Sequence, residues 1–148
     1  EFVISNGNKL LWIEQNASEY SKVLEISDME EVKYSIKKDE GLITIASDGK
    51  NEYLYLVNLE TLQIEHIFSV PNKEKVLAID QERLYTVSEE GVQVYKSKNE
   101  KYIMVNKIEW KNKLKDTNKI EMAGTTIFKY DVKKENGEIS LEEFLVLD

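Results

Sequence analysis

Apolar and polar residues alternate along most of the chain with the two-residue period of a β-strand. The runs are short and are separated by breaks that contain Asn, Asp, Ser or Gly. Helical periodicity over a longer window is absent, and only residues 16–24 and 140–147 could form short helices. The pattern predicts an all-β fold of about a dozen antiparallel strands.

A strand-turn-strand pattern occurs twice. Residues 54–70 contain a largely apolar run, a turn at Glu60-Thr61 and an alternating run. Residues 127–147 repeat this arrangement, with Asp131-Val132 in the place of Asn58-Leu59. A recurring hairpin indicates an architecture built from similar β-units.

A second correspondence has an offset of 42 residues. It relates Leu42, Thr44 and Gly49 to Leu84, Thr86 and Gly91. The period and the hairpins resemble the blades of β-propellers, of the WD-repeat-like or lactonase-like kind, over roughly residues 31–148. The Gly-His and Trp-Asp signatures of WD repeats are missing. The resemblance implies antiparallel strands in propeller-like blades.

The number of blades limits this interpretation. The chain has room for about three and a half blades, whereas a closed propeller needs four or more. Residues 1–148 are therefore expected to form a single all-β domain or a propeller fragment, with an open or partial ring. A β-sandwich or a barrel is the alternative.

Composition excludes several kinds of chemistry. The 148 residues include no cysteine, one histidine, one proline and six glycines. Thiolate metal sites are therefore absent, and turns must be built largely from Asn, Asp, Glu, Lys and Ser. The single histidine, His66, is expected to be a partly buried structural residue. Phosphate-binding loops and nucleophile elbows are also absent.

Residues 131–144 superficially resemble a calcium-binding loop. Aligning Gly137 and Glu143 with the glycine and the bidentate glutamate of that loop puts Val132 and Lys134 at ligand positions. Neither side chain can coordinate calcium. We therefore expect no metal and no cofactor.

Charge is distributed unevenly. The net charge of −8 argues against nucleic-acid binding, and the lack of a long apolar run argues against membrane insertion. Residues 96–119, however, carry eight lysines against three acids. The candidate partner-binding residues in this segment are Lys111, Lys113, Lys115 and Lys119. Alternatively, these lysines form a solvated loop that discourages pairing between sheet edges.

The predicted function is a non-enzymatic binding or scaffolding module that acts through protein–protein contacts. Its partner is another protein or a second copy of the chain. One alternative is an extracytoplasmic structural or adhesive subunit that assembles through β-edges. Another is part of a lactonase-like enzyme with carboxylates in a channel. The sequence does not fix the compartment, although an extracytoplasmic location is favoured.

Overall fold

The computed structural model describes residues 2–13, 19–99 and 101–147, which contain fourteen β-strands and no helix. The strands are β1 (Phe2–Asn6), β2 (Lys9–Ile13), β3 (Tyr20–Glu25), β4 (Glu31–Lys38), β5 (Gly41–Ser47), β6 (Glu52–Asn58), β7 (Ile64–Ser69), β8 (Lys75–Ile79), β9 (Arg83–Val87), β10 (Gly91–Lys98), β11 (Lys101–Glu109), β12 (Asn118–Ala123), β13 (Thr126–Val132) and β14 (Ile139–Val146). The all-β prediction is confirmed. The helical alternative is wrong for residues 140–147, which lie in β14 apart from Leu147, and for residues 20–24, which lie in β3. Residues 16–18 of that alternative lie outside the described residues.

The strands form four antiparallel sheets, and none of the described sheets closes into a barrel. The chain divides into two compact units, residues 1–72 and residues 73–148. The first unit contains the sheets β1-β2-β3 and β4-β5-β6-β7. The second contains β8-β9-β10-β11 and β12-β13-β14. Every sheet is a meander of sequential strands, which is compatible with blade-like architecture. The expectation of a single domain or propeller fragment stays a prediction.

Each unit has its own hydrophobic core. In the first unit, Leu10 and Trp12 of β2 pack with Leu42, Ala46 and Val57 of the neighbouring sheet. In the second unit, the buried core comprises Tyr85, Val92, Val94, Trp110, Ile127 and Leu147. Burial of these apolar and aromatic side chains is the main stabilising term of both units.

Asn and Asp side chains form several of the turns, as the scarcity of glycine predicts. Asp48 Oδ1 accepts hydrogen bonds from the backbone N–H groups of Lys50 and Asn51. Asp80 and Asn58 make the same pattern in two other turns. The turns at Asn58 and Asp80 form in this way without glycine, whereas the turn at Asp48 also contains Gly49 at positive φ.

All four sheets share a β-bulge between the last two strands. On the inner strand, the bulge follows Trp12, Leu54, Val94 and Lys129, respectively. All four side chains are buried. Three of these residues are apolar, and the fourth is a lysine. The bulge therefore marks equivalent buried positions in the four sheets. Lys129 is the charged residue among these four.

The two hairpins noted in the sequence have the same turn geometry, at an offset of 75 residues. Asn58 N–H donates to Gln63 O and Leu62 N–H to Asn58 O. Lys133 N–H donates to Glu138 O and Gly137 N–H to Lys133 O in the same way. Leu62 and Gly137 both have positive φ, 61° and 70°. Asn58 thus corresponds to Lys133, two residues beyond the position that the sequence comparison gave.

The other predicted correspondence holds in part. Leu42 and Thr44 lie in β5, and Leu84 and Thr86 lie in β9, the second strand of each four-stranded sheet. Gly49, however, lies in the turn after β5, whereas Gly91 begins β10. The β9–β10 turn is shorter than the β5–β6 turn, so the two glycines are not equivalent.

Candidate functional site

The most distinctive surface of the second unit is the outer face of the β13–β14 hairpin. Four apolar side chains of β14 are exposed there: Ile139 (65%), Leu141 (52%), Phe144 (58%) and Val146 (54%). We call these four residues the apolar row. β14 is the edge strand of its sheet, with β13 as its one neighbouring strand among the described residues. An exposed row of this kind on a sheet edge is a candidate interaction surface.

The β-bulge explains why four apolar residues share this face. The register pairs Lys129 with Glu143 and Tyr130 with Leu141, so Glu142 is the extra residue of β14. Without the bulge, Leu141 and Phe144 would point to opposite faces, because they are three residues apart. With the bulge, both lie on the face that carries the stacked rings of Phe128 and Tyr130.

The opposite face of the hairpin contains a buried ionic cluster. Lys129 is only 1% exposed. Its Nζ lies 3.3 Å from a carboxylate oxygen of Glu143 and 3.5 Å from one of Glu142, and it donates to Asn112 O at 2.7 Å. A buried ammonium group needs a counter-charge and hydrogen-bond acceptors, because its removal from water is otherwise too costly in free energy. Lys129 meets both requirements.

Trp110 completes the surroundings of Lys129. The ammonium lies 5.2 Å from the centre of the indole ring, within the range of a cation–π contact. Trp110 itself is buried and donates from Nε1 to Ser88 O at 3.2 Å. The lysine is therefore held between a fixed aromatic ring and two carboxylates, which makes it a structural anchor.

The same cluster fixes the segment between β11 and β12, residues 110–117. Both carboxylate oxygens of Glu143 accept from the backbone N–H of Lys111, at 2.8 and 3.1 Å. Asn118 closes the segment, since its Oδ1 accepts from Lys115 N–H at 2.7 Å and its Nδ2 donates to Tyr130 O at 3.1 Å. The predicted loop is therefore tied at both ends to the β13–β14 hairpin.

The four predicted lysines are all exposed but fall into two groups. Lys111, Lys113 and Lys115 lie on the loop next to acids of the same unit. Lys113 pairs with Glu90 at 3.2 Å, and Lys115 pairs with Glu142. Lys119 lies instead on β12 opposite Tyr130. The register thus places it on the same sheet face as the apolar row. Contact of these lysines with a partner stays a prediction.

These ion pairs shift the titration of the groups involved. The hydrogen bond from Lys115 holds the pKa of Glu142 below its ordinary value and raises the pKa of Lys115. Glu90 raises the pKa of Lys113 in the same manner. The predicted basic segment is thus partly neutralised within its own unit, by acids that sequence proximity could not reveal.

A second polar cluster lies in the sheet β8-β9-β10-β11. Glu74 Oε1 accepts from Tyr95 Oη at 2.7 Å and lies 2.6 Å from the buried Thr86 hydroxyl. Thr86 also lies 3.1 Å from the amide oxygen of Gln93, so its single proton serves one of the two oxygens at a time. Burial, followed by the bond to Glu74, raises the pKa of Tyr95. The cluster connects Glu74, which precedes β8, to Thr86 of β9 and to Gln93 and Tyr95 of β10.

Two cavities lie within the units. One of about 440 Å³ lies in the first unit, where its lining includes Trp12, Tyr34 and Lys37. The other, of about 610 Å³, lies in the second unit between β8 and β12, with Asp80 and Glu121 in its lining. Neither lining contains a histidine or any of the four predicted lysines. The predicted lysines thus lie outside both of these cavities.

His66 and the segment that resembles a calcium-binding loop are the other residues singled out in the sequence. His66 is exposed, so the expectation of partial burial is wrong; its Nε2 lies 2.8 Å from Ser69 Oγ, and its ring contacts Tyr53 and Tyr55. Residues 133–137 form the β13–β14 turn. Within the described ranges, there is no group of three or more acids or histidines placed to hold a metal, and no helix that could cross a bilayer.

The sequence did not predict that Lys129 is buried or that it contacts Glu142 and Glu143. Charged residues in an alternating strand are ordinarily assigned to the solvent side. The repeated hairpin, once aligned by its turn geometry, shows where this lysine lies. Aligning the two turns at their positive-φ residues, Leu62 and Gly137, places Lys129 at the position of the fully buried Leu54. The same alignment places Glu143 at Phe68, the cross-strand neighbour of Leu54.

Comparison with known proteins assigns no family. A scan against models of protein families finds no match to the chain, and a search of curated proteins finds none either.

Proposed function

We propose that this chain is a non-enzymatic binding module that acts through protein–protein contacts, with the apolar row of β14 as its contact surface. Side chains of this size present roughly 100 Å² each when half exposed, so the row has an area on the order of 400 Å². Apolar patches of that size on soluble proteins commonly mark interaction sites. The stacked rings of Phe128 and Tyr130 lie beside the row and extend it onto β13.

The observation that carries the proposal is a comparison with β7. Both strands follow the same turn and carry the same bulge, at an offset of 75 residues. The β7-side residues equivalent to the apolar row are Ile64, His66, Ser69 and Pro71. Only Ile64 among them is a large aliphatic side chain. His66 and Ser69 are polar, and Pro71 disfavours pairing with another strand. The fold therefore does not require an apolar row at this place.

The edge strand β11 also lacks a continuous apolar row. Its positions equivalent to the row are Tyr102, Met104, Lys107 and Glu109, with the bulge as reference. Two of them are charged, which is a common protection of a sheet edge. Among these three edge strands, the continuous row belongs to β14.

We also infer that the four sheets are blade-like repeats of one unit, as the propeller resemblance implies. The shared bulge supports this inference, since it falls before the last strand of every sheet. In this interpretation, the ionic cluster of Lys129 holds the last sheet in shape, and Lys119 borders the contact surface.

Site-specific photo-cross-linking tests the proposed function. A photoreactive phenylalanine replaces Phe144 in one variant and the exposed Glu60, on the turn between β6 and β7, in the matched control. In cells of the source organism, we expect a discrete protein adduct from position 144 and none from position 60. Equal labelling at both positions, or no adduct at 144, would overturn the proposal.

The structural-subunit alternative is favoured by the open sheet edges. Purified chain that forms polymers of increasing length would support that alternative, because open edges can pair without limit. A chain of defined size supports the binding module.

A further inference from the structure

We propose that the apolar row pairs with a second copy of the chain, so that two β14 strands join antiparallel around a two-fold axis. This inference rests on the proposed function and names its partner. It follows from three properties of β14: the direction of its free backbone groups, its symmetry about the bulge, and the neutralisation of its glutamates.

The backbone groups of the apolar row point away from β13. Leu147 N–H donates to Thr125 O, and Lys133 N–H donates to Glu138 O, which fixes the hydrogen-bonding phase at both ends of the hairpin. Bonding positions alternate along an antiparallel pair. With the bulge included, the N–H and C=O groups of Ile139, Leu141, Phe144 and Val146 therefore face the open edge.

The row is also symmetric about the bulge. In an antiparallel pair centred between Glu142 and Glu143, Leu141 faces Phe144 of the second copy. In the same register, Ile139 faces Val146 of the second copy. Leu141 and Phe144 are three residues apart in both strands. The irregular spacing of one strand therefore lies opposite the same irregular spacing in the other. One register thus pairs every outward backbone group and every member of the row, which is the self-complementarity that a two-fold interface requires.

Charge does not oppose this pairing. Glu142 and Glu143 would meet their counterparts near the two-fold axis, where unpaired like charges would repel. Each copy, however, brings two ammonium groups to its two carboxylates, since Lys115 pairs with Glu142 and Lys129 contacts both acids. The four carboxylates at the axis are therefore matched by four cations.

The contact area predicts a weak dimer. The pairing joins one eight-residue strand of each copy along its edge, a smaller contact than the roughly 800 Å² per partner of standard stable interfaces. We therefore expect a reversible dimer that forms at micromolar or higher concentrations and dissociates on dilution. Sedimentation velocity over about 1 to 500 µM measures this directly.

Two variants of similar exposure separate the row from other edge strands. Phe144→Lys places a charge in the row, and Ile103→Lys places one at a 52% exposed apolar position on the edge strand β11. We expect Phe144→Lys to weaken dimerisation about tenfold or more, because a central apolar contact is replaced by a charge. Ile103→Lys should leave it unchanged. Thermal unfolding confirms that both variants are folded.

Disulfide trapping tests the register, and the absence of native cysteine makes it specific. Ile139→Cys with Val146→Cys should give a covalent dimer on mild oxidation, since paired Cα atoms at about 5.5 Å permit a disulfide. Ile139→Cys alone should not, because the two copies of residue 139 lie at opposite ends of the pair. Leu141→Cys with Val146→Cys, a mismatched pair, should also remain monomeric.

The outcomes distinguish this inference from the proposed function. A dimer that is trapped only by the 139/146 pair supports the two-fold pairing. A chain that stays monomeric at every concentration, a polymer, or equal trapping by the mismatched pair overturns it. A discrete adduct from position 144 with a different protein would overturn the self-pairing while supporting the binding module.

Discussion

The buried cluster of Lys129 gives the sharpest test of how this fold is stabilised. Lys129→Leu removes the ammonium that contacts Glu142 and Glu143 and donates to Asn112 O. Breaking one side of a buried ion pair ordinarily costs about 3–5 kcal/mol. The two glutamate side chains are 24% and 15% exposed, and Glu142 keeps its pair with Lys115. We therefore expect a smaller loss, of about 2–4 kcal/mol, in the free energy of unfolding.

The double variant Lys129→Leu with Glu143→Phe should recover most of this loss. It recreates the Leu54–Phe68 pair that occupies the equivalent cross-strand position in β6 and β7. Replacing both members of a buried ion pair by apolar residues is often neutral or stabilising. The double variant should therefore unfold within about 1 kcal/mol of the wild type, or be more stable. Lys111 loses its carboxylate acceptor, but its exposed N–H can bond to water.

Urea unfolding followed by tryptophan fluorescence measures these differences. Trp110 lies in the second unit against Lys129, and Trp12 reports on the core of the first unit. Lys113→Leu serves as control, since it removes an exposed lysine from the same loop and should leave the midpoint unchanged. A single variant as stable as the wild type, or a double variant no better than the sum of its parts, would refute the argument.

Four further predictions concern the core, the titrating groups and metal. Leu54→Ala should destabilise the protein by about 3–5 kcal/mol in thermal or urea unfolding, because the removed side chain is fully buried. The stability difference between wild type and Lys115→Gln should be present at neutral pH and should close as pH falls below about 4.5, since the pKa of Glu142 is depressed in the folded state. Tyr95→Phe should cost roughly 1–2 kcal/mol near pH 7. That difference should shrink above pH 10, because the raised pKa of Tyr95 gives stability that is lost as pH rises. Melting temperatures with calcium and with chelator should coincide, and a calcium-dependent rise of several degrees would restore the rejected calcium-loop interpretation.

The strand period was sufficient to predict the fold class. Alternation and Asn- or Asp-containing breaks are local properties, and they located β5, β6 and β13 well. Burial within the apolar run of residues 54–70 is uneven: Leu54 is fully buried, whereas Leu56 and Phe68 are only partly buried. Burial depends on which sheet covers a given face, and one strand's own sequence does not contain that information.

The apolar row of β14 was not predicted from the sequence, which gave the neighbouring lysine-rich segment as the candidate site. The lysine-rich segment was found from charge alone, but its partners Glu90 and Glu142 are distant in sequence or in another strand. The bulge at Glu142 was not predicted either. Because a one-residue shift moves every later side chain to the other face, the alternation of residues 139–146 could not be assigned correctly without it.

The β13–β14 hairpin is inverted in polarity relative to β6–β7. The two hairpins share a turn and a bulge, yet the inward-facing pair beside the bulge is Lys129–Glu143 in one and Leu54–Phe68 in the other. The outer positions also differ: β14 carries an apolar row, whereas the equivalent positions are Ile64, His66 and Ser69 of β7 and Pro71 beyond its end.

Neither the inward-facing ion cluster nor the exposed apolar row is expected to stabilise the isolated chain. A buried ion cluster is seldom more stabilising than apolar residues of similar size, and an exposed apolar edge favours aggregation. A need for stability alone would thus favour the β6–β7 arrangement at both places. The proposed contact surface accounts for the exposed half, because partner side chains packed beside the row remove part of its apolar surface from water. The inner half is compatible with that surface, since Lys129 and Lys115 pair with the two glutamates inside the unit and leave no unpaired charge beside the contact.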